Sequence, residues 1–212
     1  MDYRLPITVV PSRYDIRIEP DLDAATFSGE ETITVSVQEP VTEVLLNAAE
    51  LRILAVSARD AVGDTVEGSA ALDETEERAR LTFPSPLLPG QWRLTLRFTG
   101  TLNDRLHGFY RSTYKDAAGG SHTLAATQFE ATDARRAFPC WDEPAFKAVF
   151  GVTLVVPERL QAVSNAAVVR EEPTGDGRKV VTFADSMKMS TYLVAFVVGE
   201  LEATAPVMVG GT

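Results

Sequence analysis

Short segments in which apolar and polar residues alternate occur along the whole chain. They are rich in Val, Ile, Thr, Leu and aromatic residues, and each is bounded by Gly, Pro, Asp or Ser. The clearest six read RYDIRIEP, TITVSVQE, WRLTLRFTG, FGVTLVVPE, KVVTFADS and TYLVAFVVGE. Alternation with a period of two residues is typical of half-buried β-strands. The pattern therefore predicts an all-β fold.

Turn-forming residues separate the predicted strands. The candidates are VGD at 62–64, PLLPG at 86–90, AGGS at 118–121 and TGDGR at 174–178. The best helical candidate is the short segment 132–137, TDARRA, with Thr132 or Asp133 as its N-cap. The charged segment 73–80, DETEERAR, lies between a turn and apolar residues. We interpret it as a solvated hairpin edge rather than a helix.

Composition favours one large domain and limits the classes of partner that the domain can bind. The 212 residues are 45% hydrophobic and 24% charged, which is enough apolar material for a substantial core. Acidic residues outnumber basic residues by 30 to 20, so the net charge is −10. This charge disfavours nucleic acid and anionic membrane surfaces as partners. It suits a cationic ligand such as the terminal ammonium of a peptide.

Cysteine content and hydropathy indicate the compartment. Cys140 is the only cysteine, so no disulfide can form within one chain and a reducing, intracellular setting is favoured. The first residues lack the pattern of a secretory signal, and no apolar run is long enough to span a bilayer. We therefore expect a soluble, cytoplasmic protein.

Residue types that commonly carry catalysis are few. His107 and His122 flank a predicted hairpin, and neither has a carboxylate at the offset of a metal-ligand pair, so we interpret both as surface or turn residues. Cys140 stands between the bulky Phe138 and Trp141 and has the surroundings of a packed small hydrophobe rather than a nucleophile. The sequence thus predicts no metal site and no catalytic residue in this chain.

Asp142 and Glu143 are adjacent carboxylates, which is one requirement for general acid and base catalysis. Neighbouring side chains in an extended segment diverge, so this pair cannot flank one scissile bond. We expect both to form a structural ion-pair cluster with Arg135 and Arg136.

Gln128 and Glu130 are the polar pair that needs explaining. If the segment LAATQFE is a strand, both side chains lie on one face together with Leu124 and Ala126. A solvated strand face and a binding edge both account for this arrangement.

The segment TQFEATDARRAFPCWDEPAFKAVF closely resembles the signature of the N-terminal domain of zinc aminopeptidases of the aminopeptidase N family. The opening segment LPITVVPSRYDIRIEPDLDAATFSGEETITV, the segment LHGFYRSTY and the segment MSTYLVAFVVGELE resemble other strands of that domain. The resemblance covers nearly the whole chain. It implies a saddle-shaped, mainly antiparallel β-sheet sandwich over residues 1–204, followed at 205–212 by the start of a connector to a catalytic domain.

The resemblance also implies roles for the polar pair. In that family the glutamate of the strand helps to bind the α-ammonium of the peptide N-terminus, and the glutamine lines the pocket for the first side chain. By position these roles fall on Glu130 and Gln128. The family's exopeptidase loop and its zinc-binding His-Glu-x-x-His helix do not occur in this sequence. We therefore expect zinc only in the full-length enzyme, and a fragment that is inactive alone.

A second reading stays open alongside the enzyme domain. Some relatives of the family keep the fold but have lost the metal ligands, so the chain could instead be a non-catalytic β-sandwich module for protein interaction.

Overall fold

The computed structural model describes residues 4–205 and residue 207, and within them nearly all of the regular secondary structure is β-strand. The fourteen strands of this part are β1 (Val9–Asp21), β2 (Thr26–Val37), β3 (Val41–Asn47), β4 (Leu51–Asp60), β5 (Thr65–Asp73), β6 (Arg78–Leu87), β7 (Gly90–Thr101), β8 (Gly108–Lys115), β9 (Ser121–Gln128), β10 (Val149–Pro157), β11 (Gln161–Ser164), β12 (Val168–Pro173), β13 (Arg178–Phe183) and β14 (Phe196–Gly199). Two short 3₁₀ helices, Ala134–Arg136 and Thr191–Leu193, interrupt the connections.

The strands form two sheets. The large sheet has ten strands in the order β12-β13-β10-β1-β2-β7-β4-β5-β6-β3, and the small sheet has four in the order β11-β14-β9-β8. Neighbouring named strands pair antiparallel, except that β1 pairs in parallel with β10, with Arg13 opposite Val149 and Ile18 opposite Leu154. The predicted all-β, mainly antiparallel sandwich is confirmed.

Aromatic side chains fill the space between the two sheets. Phe27 of the large sheet meets Phe109 of the small sheet with ring centroids 5.2 Å apart, and Phe109 in turn contacts Phe196 at 4.9 Å. Tyr14 stacks on Phe150 at 4.9 Å, and Trp141 from the segment after β9 is completely buried. Edge-to-face and offset contacts of this kind are favourable beyond the area that they bury. The small sheet is therefore fixed on the large one by packed rings.

One ionisable side chain faces this core without a partner. Glu31 lies on β2 between Ile16 of β1 and Leu96 of β7, and only 1% of its surface is exposed. Neither of its carboxylate oxygens has a hydrogen-bond partner among the residues that the structure describes. Burial raises the pKa of Glu31 well above its ordinary value.

The predicted connections are present. Turns at each of the four candidate positions join β4 to β5, β6 to β7, β8 to β9 and β12 to β13. The charged segment 73–80 belongs to a hairpin rather than a helix, as predicted, with residues 74–77 as the turn between β5 and β6. Its two strands lie between β4 and β3, so the hairpin is not at the edge of the sheet that was predicted. The helical candidate 132–137 is only a 3₁₀ turn with Asp133 at its N-cap position, and the Asp133 side chain makes no capping hydrogen bond. It accepts a hydrogen bond from Arg136 Nε at 2.8 Å instead.

The last strand ends at Gly199, and coil without regular structure follows as far as residue 205. The predicted connector at 205–212 lies mostly outside the described residues, as do residues 1–3. In the described part of the chain, no helix is long and apolar enough to cross a membrane.

Candidate functional site

Gln128 is the last residue of β9, and its side chain is exposed. Its register partner on β8 is Gly108, a residue with a positive φ of 66°. A Cβ atom on Gly108 would lie 2.8 Å from Cβ of Arg136. Glycine therefore allows the end of the β8–β9 pair to pack directly against the 3₁₀ helix.

Glu130 lies beyond the strand, which corrects the prediction that the strand carries it. Here the chain turns, and Asp133 N donates a hydrogen bond to Phe129 O at 2.9 Å. Phe129, between the two polar residues, is buried with ring centroids 6.0 Å from those of both Phe138 and Phe196. The alternation of exposed, buried and exposed side chains continues through the turn. The buried ring of Phe129 thus fixes the backbone between Gln128 and Glu130, and both polar side chains lie at the surface.

The small sheet presents a partly apolar outer face next to this turn. Tyr110, Ala126, Val197 and Val163 form one row across its four strands, because each is the register partner of the next. The first three are half-buried, and Val163 is 51% exposed. The row thus crosses the whole width of the small sheet, from β8 to β11.

An ion-pair network holds the segment that follows Glu130. Arg135 Nε lies 3.0 Å from Asp142, and the same guanidinium lies 3.1 Å from Glu77. Arg136 contacts Glu77 at 2.5 Å, Asp133 at 2.8 Å and Glu50 at 2.8 Å. Asp142 is buried, and this burial raises its pKa although Arg135 opposes the shift.

The predicted cluster is therefore only partly correct. Asp142 and both arginines belong to it, but Glu143 does not, since its carboxylate accepts a hydrogen bond from Leu5 N at 2.6 Å. Glu77 and Glu50 complete the network instead. Their distance in sequence from the motif explains why the sequence did not indicate them.

His122 has carboxylate partners that sequence spacing does not reveal. Its Nε2 lies 2.9 Å from Asp116 in the β8–β9 turn, and its Nδ1 lies 2.7 Å from Glu200 just after β14. The ring stacks on Tyr114 at 5.3 Å. The hydrogen bond to Asp116, followed by the charge of Glu200, raises the pKa of His122. The histidine is thus a link between the hairpin and the end of the last strand.

The remaining candidates have structural surroundings. His107 Nδ1 is 3.5 Å from Asp133, at the edge of the arginine network. Cys140 is fully buried, and burial raises the pKa of its thiol, which disfavours the nucleophilic thiolate. Across the described residues, no group of three or more His, Cys, Asp or Glu side chains is placed to hold a metal ion.

Comparison with known proteins places this arrangement in a family. A sequence model described as the Peptidase M1 N-terminal domain matches residues 10–193, which include every strand from β2 to β13 and the whole TQFE segment. The chain belongs to the Peptidase M1 N-terminal domain family.

Individual relatives of this Peptidase M1 domain agree over nearly its full length. The chain is 46% identical over 201 residues to a puromycin-sensitive aminopeptidase of Caenorhabditis elegans, covering 94% of this chain and 21% of the relative. It is 48% identical over 196 residues to aminopeptidase M1-B of Oryza sativa subsp. japonica, covering 92% of this chain and 22% of the relative. It is 38% identical over 200 residues to an aminopeptidase N of Acetobacter pasteurianus, covering 94% and 55%. The chain therefore spans only about a fifth of the first two relatives.

Proposed function

We propose that this chain is the substrate-cleft domain of a zinc-dependent aminopeptidase that removes N-terminal residues from peptides. Glu130 is the ammonium anchor and Gln128 lines the pocket for the first side chain. The observation that carries the proposal is the exposed Glu130 carboxylate, which makes no hydrogen bond or ion pair with any side chain of the described chain, while its backbone is fixed by buried Phe129. A pre-positioned carboxylate without an internal partner is free to bind a ligand cation.

An exopeptidase must distinguish the end of a chain from its middle. Only the first residue of an unblocked peptide carries an α-ammonium, so a carboxylate at a fixed distance from the reacting bond selects for that end. The acidic surplus of the chain, 30 acidic against 20 basic residues, favours approach of the cation.

The remainder of the parent enzyme would supply the catalytic domain and the zinc. The residues of this chain that the structure describes do not form a metal site, so we assign the metal to the catalytic domain. Zinc in such an enzyme polarises the scissile carbonyl and activates water. The outer face of the small sheet, with Tyr110, Ala126, Val197 and Val163, is the surface that we assign to the contact with the catalytic domain. A cytoplasmic location of the parent enzyme is part of the same proposal and rests on the single, buried Cys140.

The test is steady-state kinetics of the full-length enzyme with Glu130→Gln. The substitution keeps the shape and removes the charge. A charge-assisted hydrogen bond contributes about 1.5 to 3 kcal/mol, so kcat/KM should fall by about ten- to a hundredfold on substrates with a free α-ammonium. Gln128→Ala should change the preference among first side chains more than the overall rate.

Glu39→Gln is the matched control, because Glu39 is an exposed glutamate in the turn between β2 and β3. It should leave kcat/KM unchanged. Equal kcat/KM for Glu130→Gln and the unmodified enzyme, with equal melting temperatures, would show that the pair is only a solvated surface. The 212-residue chain alone should have no peptidase activity and retain no stoichiometric zinc after dialysis.

A further inference from the structure

The turn between β5 and β6 contains one acidic side chain that behaves differently from its neighbours. Asp73, Glu74 and Glu76 are exposed, whereas Glu77 is half-buried. Glu77 also has a positive φ of 51°, a conformation that non-glycine residues adopt infrequently. Backbone strain of this kind persists only where surrounding contacts hold it.

Both side-chain contacts of Glu77 are with the segment after Glu130. One carboxylate oxygen of Glu77 accepts a hydrogen bond from Arg135 Nη1 at 3.1 Å, and the other accepts one from Arg136 Nη2 at 2.5 Å. The carbonyl oxygen of Glu77 accepts a third from Ala48 N at 3.0 Å. The next residue, Ala49, donates from its N–H to Arg135 O at 3.0 Å. Glu77 thus forms ion pairs with two adjacent guanidinium groups and connects both to the large sheet.

Arg135 and Arg136 are in turn connected to both residues of the candidate site. Their 3₁₀ helix follows the turn that is closed by the Asp133 N to Phe129 O hydrogen bond, and Glu130 lies inside that turn. On the other side, Arg136 packs against Gly108, the register partner of Gln128. A continuous series of contacts therefore joins Glu77 to the backbone of Glu130 and to the end of the β8–β9 pair.

We propose that Glu77 is a positioning residue for the ammonium anchor Glu130. The inference rests on the proposed function, because it assigns Glu77 a role in the same site. Without the Glu77 charge, two adjacent arginines would share only the carboxylates of Asp142, Asp133 and Glu50. The 3₁₀ helix and the turn before it would then lose their attachment to the β5–β6 hairpin. A displacement of about 1 Å at a substrate-positioning group can reduce the rate a hundredfold, so a smaller shift is measurable.

The experiment is a double-mutant cycle in the full-length enzyme. It compares Glu77→Gln, Glu130→Gln, the double variant and the unmodified enzyme on a substrate with a free α-ammonium. We expect Glu77→Gln alone to lower kcat/KM by about three- to twentyfold, mainly through KM, since it disturbs binding of the ammonium rather than the reacting groups. In the Glu130→Gln background the same substitution should have no further effect, because the anchor through which it acts is already lost.

Glu76→Gln serves as the matched control, since Glu76 is the exposed neighbour in the same turn. Glu77→Asp keeps the charge and should recover part of the lost kcat/KM. It also replaces Glu77→Gln in the cycle if that variant proves too unstable to purify. Melting temperatures of all variants show whether folding is preserved.

Two results would overturn the inference while leaving the proposed function intact. An equal effect of Glu77→Gln in both backgrounds would mean that Glu77 acts only on general stability. An effect no larger than that of Glu76→Gln, in an enzyme where Glu130→Gln still lowers kcat/KM, would show that the anchor does not depend on Glu77. If Glu130→Gln itself has no effect, the proposed function fails at a separate measurement and the positioning role fails with it.

Discussion

Replacing Glu31 by glutamine should remove a pH dependence from the stability of the domain. Glu31 is buried in the core, and within the described part of the chain neither of its carboxylate oxygens has a hydrogen-bond partner. This burial raises the pKa of Glu31 well above the ordinary value of 4.5. Above pH 4.5 the carboxyl of Glu31 therefore keeps its proton in the native state, whereas it has lost that proton in the unfolded chain. Stability from this group is fully present below pH 4.5 and decreases as the pH rises towards the native pKa.

The magnitude follows from linkage. While Glu31 stays protonated in the native state and ionised in the unfolded state, each pH unit lowers the free energy of unfolding by about 1.4 kcal/mol. From pH 5 upwards the difference between the unmodified chain and Glu31→Gln should therefore change in favour of the variant by up to that amount per pH unit, as long as the native carboxyl of Glu31 keeps its proton. Other groups, such as Asp142, contribute equally to both proteins and cancel in the difference.

Urea unfolding of the 212-residue chain at pH 5, 6 and 7 measures this difference. Glu30→Gln is the matched control, because Glu30 is the exposed neighbour on the same strand and should show no such trend. Glu31→Leu should be more stable than Glu31→Gln at every pH, since an amide in this position is also an unsatisfied polar group. A difference between the unmodified chain and Glu31→Gln that stays constant within about 0.5 kcal/mol from pH 5 to pH 7 would refute the reasoning.

Two further outcomes follow from the geometry. NMR titration should give His122 a midpoint above pH 6.5. Asp116→Asn should lower this midpoint, because the hydrogen bond to Asp116 is the main cause of the raised pKa of His122. An unchanged midpoint in Asp116→Asn would contradict this explanation. Since the native pKa of His122 is the higher one, its contribution to stability is fully present below pH 6.5 and is lost as the pH rises from 6.5 through the native pKa. Gly108→Ala should lower the free energy of unfolding by about 1 to 3 kcal/mol, because alanine disfavours the positive φ at this position and its Cβ would clash with the Arg136 side chain. Equal urea midpoints for the variant and the unmodified chain would contradict this prediction.

Sequence periodicity predicted the strands well because it reports which face of each segment is buried. It could not predict which strands pair, since pairing depends on contacts between distant segments. Glu143 illustrates the limit: charge and proximity suggested Arg135 and Arg136 as its partners, but a backbone N–H of Leu5 lies closer in space. His122 shows the same effect, because Glu200 is brought to it only by the pairing of β9 with β14.

The sequence suggested candidate site residues but did not indicate which other residues hold them in place. The TQFE segment indicated Gln128 and Glu130, and the structure shows both side chains at the surface. The prediction that Glu130 lies on the strand was wrong, because β9 ends at Gln128 and Glu130 lies in the turn that follows. Nothing in the charged segment 73–80 distinguishes Glu77 from its acidic neighbours, since its arginine partners lie 58 and 59 residues further along the chain.

The parallel pairing of β1 with β10 has a consequence for the order in which the chain can assemble during translation. The first 101 residues contain seven strands that are contiguous in the large sheet, from β1 to β3, so this part can pair as soon as it leaves the ribosome. The other edge of β1 stays unpaired until β10, whose last residue is Pro157, has been synthesised. At about 5 to 20 residues per second, synthesis of the intervening segment leaves that edge open for several seconds. An open strand edge pairs readily with other chains. During the interval between the synthesis of β7 and that of β10, the free edge of β1 is therefore available for pairing with other chains.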